Sequence, residues 1–338
     1  MTTTRTDDRL ASTAGETVIT VDSLNVSFGS AGSKKHVLRD ISLELKAGEI
    51  LGIVGESGSG KTTLLSTILG LLPPEGRVDS GDIRFGTRDL LQMSGAERRS
   101  LRGSALRLVP QRAMTSLNPV RTVIKQFQQF AKSAGQDDLS AEDLTVLLRR
   151  VGLALEPRQL KRYPHEFSGG QLQRMFIAAS ALLGEPSVIF ADEPTSTLDT
   201  TVRSQILELV RRLRDEVNVS VIFVSHDLGV VAQVCDRVLV MYAGEVVENA
   251  DVISLFDDPK HPYTRALLGA LAERHQPHEM LTAIPGKVSD SLRIESGCRF
   301  APRCANAFEP CQSIWPADRR AGSSLVKCHL YGEDAREQ

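Results

Sequence analysis

The sequence predicts an α/β fold with a largely parallel sheet and an antiparallel β region near the N-terminus. Three short runs are almost entirely apolar, as in strands that are buried on both faces: 50–54, 188–191 and 219–224. Helical stripes of apolar residues separate these runs, and alternating strands and helices are the pattern of an α/β domain. With 41% hydrophobic and 24% charged residues, the composition argues against a wholly disordered chain.

Antiparallel strands are predicted ahead of the first buried run, because apolar and polar residues alternate there with period two. The alternating apolar residues are Leu24, Val26 and Phe28 in one segment and Ile41, Leu43 and Leu45 in the next. Residues 1–16 precede them without the apolar core of a signal peptide. We expect that stretch to be a short disordered tail, and we expect no export.

Three helices have predictable starts. Their apolar stripes begin after Ser140, Ser168 and Asp199, which are residue types that cap helix N-termini. Gly152 and Gly184 follow the first two stripes, at the position where glycine commonly ends a helix. In those two cases the capping signals and the hydrophobic period therefore agree.

Charge and hydropathy bear on two classes of protein. The formal net charge of −2 gives no support for binding nucleic acid through bulk charge. The longest apolar runs are far shorter than the ~20 residues that span a bilayer. The sequence therefore predicts that the chain is not itself a membrane channel.

Residues 55–62, GESGSGKT, match the phosphate-binding P-loop, and they lie between a buried strand and a helix as that motif requires. Lys61 is predicted to reach the β- and γ-phosphates and Thr62 to hold Mg²⁺, while the helix dipole favours the anion. The predicted nucleotide contacts here are Gly55, Ser57, Gly58, Gly60, Lys61, Thr62 and Thr63. A glycine-rich turn that binds nothing is the alternative.

A second buried run ends in two carboxylates, Asp192 and Glu193. Asp192 is placed to hold Mg²⁺ through water. Glu193 is placed to polarise the water that attacks the γ-phosphate, because in-line hydrolysis needs an oriented nucleophile. Two acids at a strand end would otherwise be a solvated pair, but together with the P-loop they predict a nucleoside-triphosphatase.

The segment before this pair resembles the signature of ATP-binding-cassette (ABC) ATPases. Its residues are Ser168, Gly169, Gly170 and Gln171. The order of motifs over residues 17–270 is also similar to that family: the P-loop, Gln111, the signature, the Asp–Glu pair, Asp199 and finally His226. The resemblance implies an ABC-type P-loop core with an antiparallel β subdomain and a helical signature subdomain.

The resemblance also implies roles for these residues. Two ATP molecules would be enclosed in a head-to-tail dimer, with Ser168 and Gly170 acting on the nucleotide of the opposite subunit. Gln111 would sense Mg²⁺ and the attacking water and would link the site to the membrane partner. His226 would contact the γ-phosphate and hold the catalytic glutamate, and Asp199 would lie at the dimer interface. Phe28 resembles the aromatic residue that stacks on adenine, with a core residue of the first strand as the equal alternative.

A finer resemblance is to the ATPase subunits of oligopeptide, dipeptide and nickel importers. It rests on residues 114–119, 163–167 and 261–264, together with the cysteine pattern at the C-terminal end. Two positions depart from that subfamily: Arg112-Ala113 replaces the usual Asp-Pro, and Thr197 replaces the usual alanine. The first departure bears on the contact with the membrane subunit.

Residues 271–338 are predicted to form a small cysteine-rich extension. Cys298, Cys304, Cys311 and Cys328 fall within it, at spacings that match neither a zinc ribbon nor a ferredoxin. The residues alone indicate that a four-thiolate site is possible. The resemblance favours a structural [4Fe–4S] cluster, with zinc as the second choice and unliganded cysteines as the third reading.

The resemblance implies the motor subunit of an importer that takes up a small solute, with peptides as the first choice. Its partners would be a second ATPase subunit of the same or a different chain, two permeases and an extracytoplasmic solute-binding protein. It would act at the cytoplasmic face of the membrane, without a nucleic-acid partner. The substrate itself cannot be read from a motor subunit.

Two other classes of ABC protein are alternatives to an importer subunit. A soluble ATPase acting on nucleic acid or the ribosome is disfavoured, because Lys61 and Ser168 are 107 residues apart without heptads and one cassette is present. A degenerate subunit is disfavoured by the intact motif residues.

Overall fold

A computed structural model of the chain describes residues 15–29, 34–111, 113–184, 186–196, 198–270, 284 and 286–332. Most of the tail predicted at 1–16, and the departures at Arg112 and Thr197, lie outside these residues. The described residues form two compact units, each assembled from several segments. The first draws on the described residues within 1–19, 44–50 and 84–224, and the second on those within 20–43, 51–83 and 225–338.

Strands and helices alternate along residues 188–242, as predicted for an α/β domain. The strands are β1 (Thr17–Phe28), β2 (Lys35–Lys46), β3 (Ile50–Val54), β4 (Gly76–Phe85), β5 (Arg88–Asp89), β6 (Leu106–Val109), β7 (Val188–Asp192), β8 (Ser220–Ser225), β9 (Arg237–Tyr242), β10 (Glu245–Asp251), β11 (Asp318–Ala321) and β12 (Ser324–Lys327). The α-helices are α1 (Lys61–Ile68), α2 (Gly95–Gly103), α3 (Ala113–Ser116), α4 (Val123–Ser133), α5 (Ala141–Arg150), α6 (Gly169–Leu182), α7 (Thr200–Val217), α8 (Leu228–Val234), α9 (Val252–Asp257), α10 (Pro262–Gly269), α11 (Val288–Ser291) and α12 (Glu309–Ser313). Short 3₁₀ turns lie at 157–161, 164–166, 301–303 and 329–331.

The first unit contains parallel strands, and β7 lies between β6 and β8. The register pairs Leu106 with Val188 and Val188 with Ser220. Residues 188–191 are buried, which confirms the prediction of a strand covered on both faces. This arrangement carries the two carboxylates to the C-terminal end of β7.

The three predicted helix starts are confirmed in this unit. The Ser140 and Ser168 hydroxyls each accept the backbone N–H three residues on, and the Asp199 carboxylate does the same for Val202. Each serine is completed to a capping box by a returning side chain, Asp143 for the first and Gln171 for the second. The starts of these helices depend on residues that lie close together along the chain, so they could be predicted from the sequence.

The second unit combines parallel and antiparallel strands. β3 pairs parallel with β9, and β9 pairs antiparallel with β10. Beyond β10 lie β12 and β11, which come from the predicted cysteine-rich extension. The described part of that extension is thus joined to the same sheet as the P-loop strand. The boundary predicted at residue 270 falls next to residues that are not described, so it stays a prediction.

Buried charges also fix the extension to this unit. Arg299 is 1% exposed and forms an ion pair of 3.2 Å with the equally buried Glu245. Lys327 donates to the Asp40 carboxylate at 2.8 Å. The side chain of Arg39 lies over the Trp315 ring, 4.3 Å from its centroid.

The antiparallel strands follow the predicted alternation with one difference. In β2, Ile41, Leu43 and Leu45 are buried while their polar neighbours are exposed. In β1, Ser27 is buried and Phe28 is half-buried, which reverses the expected phase at the end of the strand. A hydrogen bond between Ser27 and Asp79 satisfies the buried hydroxyl. Among the helices of the described residues, none combines the length and hydropathy needed to cross a membrane.

Candidate nucleotide site and catalytic carboxylate

The P-loop leaves β3 at Val54 and turns in a way that demands glycine. Gly55 has φ of +154°, and a Cβ there would lie 2.1 Å from the Met241 carbonyl oxygen. Gly58 and Gly60 also have positive φ, +82° and +104°, which other residues rarely adopt. These glycines therefore bring the backbone of the loop into a shape that a side chain would block.

Lys61 is held beneath the loop. Its side chain is 6% exposed, and Nζ donates to the carbonyl oxygens of Gly55 at 2.7 Å and Glu56 at 3.1 Å. Ser57 and Gly58 are exposed on the loop, and Thr62 is exposed in the first turn of α1, which begins at Lys61 without a side-chain cap on its N-terminus. A buried ammonium beneath an exposed, glycine-rich loop is the arrangement that binds phosphate.

The predicted catalytic carboxylate, Glu193, directly follows β7 in the first unit. Glu193 has φ of +44°, an uncommon conformation for a residue with a side chain and one that concentrates at functional sites. Its N–H donates to the Val224 carbonyl at 3.0 Å. Gln111 Nε2 donates to Glu193 Oε2 at 2.9 Å and lies 3.4 Å from the Ser196 hydroxyl. Two of the predicted catalytic residues are thus in direct contact.

Asp192 precedes Glu193 at the last position of β7, where it is half-buried. Its carboxylate, the Gln111 amide and the Thr62 hydroxyl are oxygen donors of the kind that Mg²⁺ prefers. The donor set therefore fits the predicted ion in its chemistry.

The signature occupies the exposed N-terminus of α6. Ser168 and Gly169 are exposed, and a Cβ built on Gly169 would meet nothing within 4 Å. Gly170 packs against Val202 so closely that a Cβ would lie 2.9 Å from it. Gln171 returns to the Ser168 backbone N–H at 2.9 Å. This helix end is rigidly capped and open to a partner.

Of three further predicted site residues, two are exposed to solvent and the third is half-buried. Asp199 is exposed at the start of α7, and His226 is exposed in the turn between β8 and α8. Phe28 is half-buried, and a Cβ on Gly76 would come within 3.0 Å of its ring. The ring therefore packs on Gly76 with part of its surface open, so adenine stacking remains a prediction beside the structural role.

The four cysteines of the extension are free thiols. Burial raises the pKa of Cys298 to about 12, with smaller contributions from Cys311 and Cys328. Burial likewise raises the pKa of Cys328 to about 11, again with Cys304 and Cys311 adding to it. In the part of the chain that the structure describes, no three His, Cys, Asp or Glu side chains are arranged to hold a metal ion. The expected iron–sulfur or zinc centre gains no support from this arrangement.

Sequence reasoning gave no role to the segment 261–264, and the structure supplies one. The Tyr263 hydroxyl accepts the Glu56 backbone N–H at 2.9 Å. His261 Nδ1 accepts the Tyr263 N–H at 3.0 Å, and burial lowers the pKa of His261 to about 3, with Arg265 adding to the shift. The neutral imidazole can therefore cap α10 and fix the tyrosine. Glu56 and Tyr263 are 207 residues apart in the sequence, so no local sequence pattern could have predicted their contact.

The fold and the P-loop together define an ATPase of the ATP-binding-cassette class. The family model described as ABC transporter matches residues 38–196, and the model described as oligopeptide/dipeptide transporter, C-terminal region, matches 247–311. The dipeptide transport ATP-binding protein DppD of Bacillus subtilis is 40% identical over 95% of this chain and 96% of its own length. The oligopeptide transport ATP-binding protein OppD of Escherichia coli is 38% identical over 94% and 95%. The chain belongs to this family of oligopeptide and dipeptide transporter ATP-binding subunits.

Solved structures agree with the fold. The ATP-binding cassette MJ0796, solved as a dimer bound to ADP and Pi, superposes with a TM-score of 0.61 at 26% identity. The match covers 69% of this chain and 98% of that one. The cbiO1 subunit of Clostridium perfringens gives 0.60 at 28% identity, covering 72% and 91%. These matches confirm the predicted ABC ATPase fold and do not favour the soluble nucleic-acid or ribosome-associated alternative.

Proposed function

We propose that this chain is the ATP-hydrolysing motor of a peptide importer at the cytoplasmic face of the membrane. The observation that carries the proposal is the contact of Gln111 with Glu193, because it holds a hydrolytic carboxylate in place on an ABC fold. The names of the relatives support peptides as the solute. The proposed partners are two permeases, a second ATPase subunit and an extracytoplasmic solute-binding protein.

In the proposed reaction the P-loop binds the phosphates and Glu193 accepts a proton from the attacking water. Lys61 would turn its charge from the two carbonyls toward the β- and γ-phosphates. Thr62 and Asp192 would hold Mg²⁺, which supplies charge stabilisation for the leaving phosphate. Gln111 would orient the same water, and His226 would contact the γ-phosphate and hold Glu193 in place.

Dimerisation is part of the proposal. The exposed, capped start of α6 at Ser168 and Gly170 supports action on the nucleotide of the opposite subunit, and the dimeric solved relative supports the assembly. ATP hydrolysis by the purified chain should therefore rise more than linearly with protein concentration or require the partner subunit. Full activity of a monomer at high dilution would contradict this assembly.

Transport is tested in membranes. The chain should sediment with membrane vesicles when both permeases are co-expressed, and vesicles carrying the full set should take up dipeptides in an ATP-dependent way. Recovery in the membrane fraction without the permeases, or an ATPase stimulated by RNA instead of peptide-loaded binding protein, would favour the soluble alternative.

We also propose a [4Fe–4S] centre at Cys298, Cys304, Cys311 and Cys328. Support comes from the family resemblance of the cysteine pattern, which also favours the cluster over zinc, and all four cysteines lie in one unit. Anaerobically purified protein should be brown, with about four iron and four sulfide per chain. Colourless protein with one zinc per chain would replace the cluster, and metal-free protein that melts like its four-serine variant would refute both.

A further inference from the structure

Glu56, the second residue of the P-loop, is held at three points. Its carbonyl oxygen accepts Lys61 Nζ at 3.1 Å, and its N–H donates to the Tyr263 hydroxyl at 2.9 Å. Its carboxylate accepts two bonds from Arg303, at 2.9 and 3.1 Å. A single residue thus connects the phosphate-binding lysine to two residues more than 200 positions along the chain.

Arg303 is anchored for this contact. It ends the 3₁₀ turn 301–303, directly before Cys304, and its side chain is 5% exposed. It also donates to the Tyr242 hydroxyl at 3.2 Å and to the Ile284 carbonyl at 3.3 Å. Burial alone lowers the pKa of Arg303, but its hydrogen bonds with Glu56 and Tyr242 raise it above the ordinary value. The guanidinium is therefore charged and fixed in direction.

A carboxylate on a phosphate-binding loop opposes its ligand, because both are anionic. The Glu56 side chain is 26% exposed, so solvent screens it incompletely. A two-bonded guanidinium neutralises the charge and also restricts the loop to one backbone shape. Both effects favour a bound nucleotide.

We propose that Arg303 is a positioning residue for ATP binding: by neutralising the Glu56 carboxylate in the P-loop, it makes the C-terminal extension part of the nucleotide site. The inference rests on the proposed ATPase function. The competing explanation is that Arg303 only attaches the extension to its unit, so that any loss on mutation reflects unfolding.

The two explanations differ in what a second mutation does. If the unpaired carboxylate causes the defect, Glu56→Gln should restore what Arg303→Met removes. If Arg303 only attaches the extension, Glu56→Gln does not remove the cause of the defect, and ATP affinity stays as low as in Arg303→Met. A double-mutant cycle therefore separates them.

The experiment is calorimetric titration of the full-length chain with Mg²⁺–ATP, with the melting temperature recorded for each variant. Arg303→Met should weaken ATP binding about tenfold, since it leaves a charged hydrogen-bonding group without its partner. Glu56→Gln alone should change affinity by less than about threefold, and the double variant should return to within about threefold of the native chain. The loss in Arg303→Met should grow at low salt, where repulsion is less screened.

Two controls complete the design. Arg320→Ala removes an exposed arginine of the same extension and should leave ATP affinity unchanged. Arg303→Lys keeps the charge without the planar pair of donors, and it should lose less affinity than Arg303→Met.

Each outcome of the titration either supports or overturns the inference. Native affinity in Arg303→Met, or a double variant as weak as Arg303→Met, would overturn the inference. If Arg303→Met misfolds, the folded Arg303→Lys variant decides in its place: weaker ATP binding that Glu56→Gln restores supports the inference, and native affinity overturns it. Failure of the native chain to bind ATP would instead overturn the proposed function.

Discussion

The signature region and the P-loop are held in shape by contacts of very different range along the chain. In the first unit, Ser168 and Asp199 are each fixed by a backbone partner three residues away. In the second unit, the P-loop is fixed at Glu56 by partners 207 and 247 residues away. The start of the signature helix is capped by local bonds, whereas the P-loop has additional bonds to the C-terminal part of the chain.

This difference separates two tasks. An exposed helix end with a local cap can keep its shape while it awaits a partner subunit. A loop that must present a row of N–H groups to phosphate gains from support that resists the backbone freedom of its glycines. Local contacts suffice for the first task, and tertiary contacts serve the second.

The largest expected effect concerns the first unit, which carries the predicted catalytic carboxylate as well as the signature. Glu193→Gln should slow ATP turnover about 10²- to 10⁴-fold while ATP affinity is kept, because a carboxamide cannot accept a proton. The amide oxygen can still accept the hydrogen bond from Gln111, so the geometry is preserved. Phosphate release and calorimetric ATP binding measure the two properties. Near-native turnover would remove Glu193 from its assigned role.

The next effect tests the P-loop side. Lys61→Ala should weaken ATP binding about 10- to 100-fold, because it removes a charge aimed at the phosphates. Lys132→Ala removes an exposed lysine of the first unit and is the matched control. If Lys61→Ala and Glu193→Gln showed the same defect, the division between binding and chemistry would be wrong.

The sequence was sufficient for what is encoded locally. The buried run at 50–54, the helix starts at Ser140 and Ser168, and the glycines of the P-loop all follow from residues that lie close together along the chain. The carboxylate pair after a buried strand pointed to Glu193 and the family resemblance to Gln111, and the fold brings the two residues into contact.

Long-range contacts could not be predicted in this way. The pair of Arg303 with Glu56 joins an arginine in a cysteine-rich segment to a loop acid, and neither residue type at either place indicates the other. The buried phase of Ser27 was missed for the same reason, since its partner Asp79 lies on another strand. No hydrophobic period encodes a partner that the tertiary fold supplies.

The smallest expected effect compares two caps of the same unit. Ser140→Ala and Ser168→Ala each remove a capping-box hydroxyl, and each should lower the free energy of unfolding by about 1 kcal/mol in a urea titration. Only Ser168→Ala should also slow ATP hydrolysis in the assembled dimer, because only that cap belongs to the signature. Equal ATPase activity in the two variants would leave Ser168 a purely structural cap.

The pairing of β12 with β10 has a consequence for how the chain can be shortened and how it folds. Glu248 and Asn249 of β10 meet Val326 and Leu325, nearly eighty positions later. A chain ending before β12 would leave this side of β10 as an unprotected edge, the kind of surface on which strands from separate molecules join. The nascent protein carries the same exposed edge until β12 has been synthesised. The pairing of β12 therefore protects β10 against aggregation only after β3, β9 and β10 have been made.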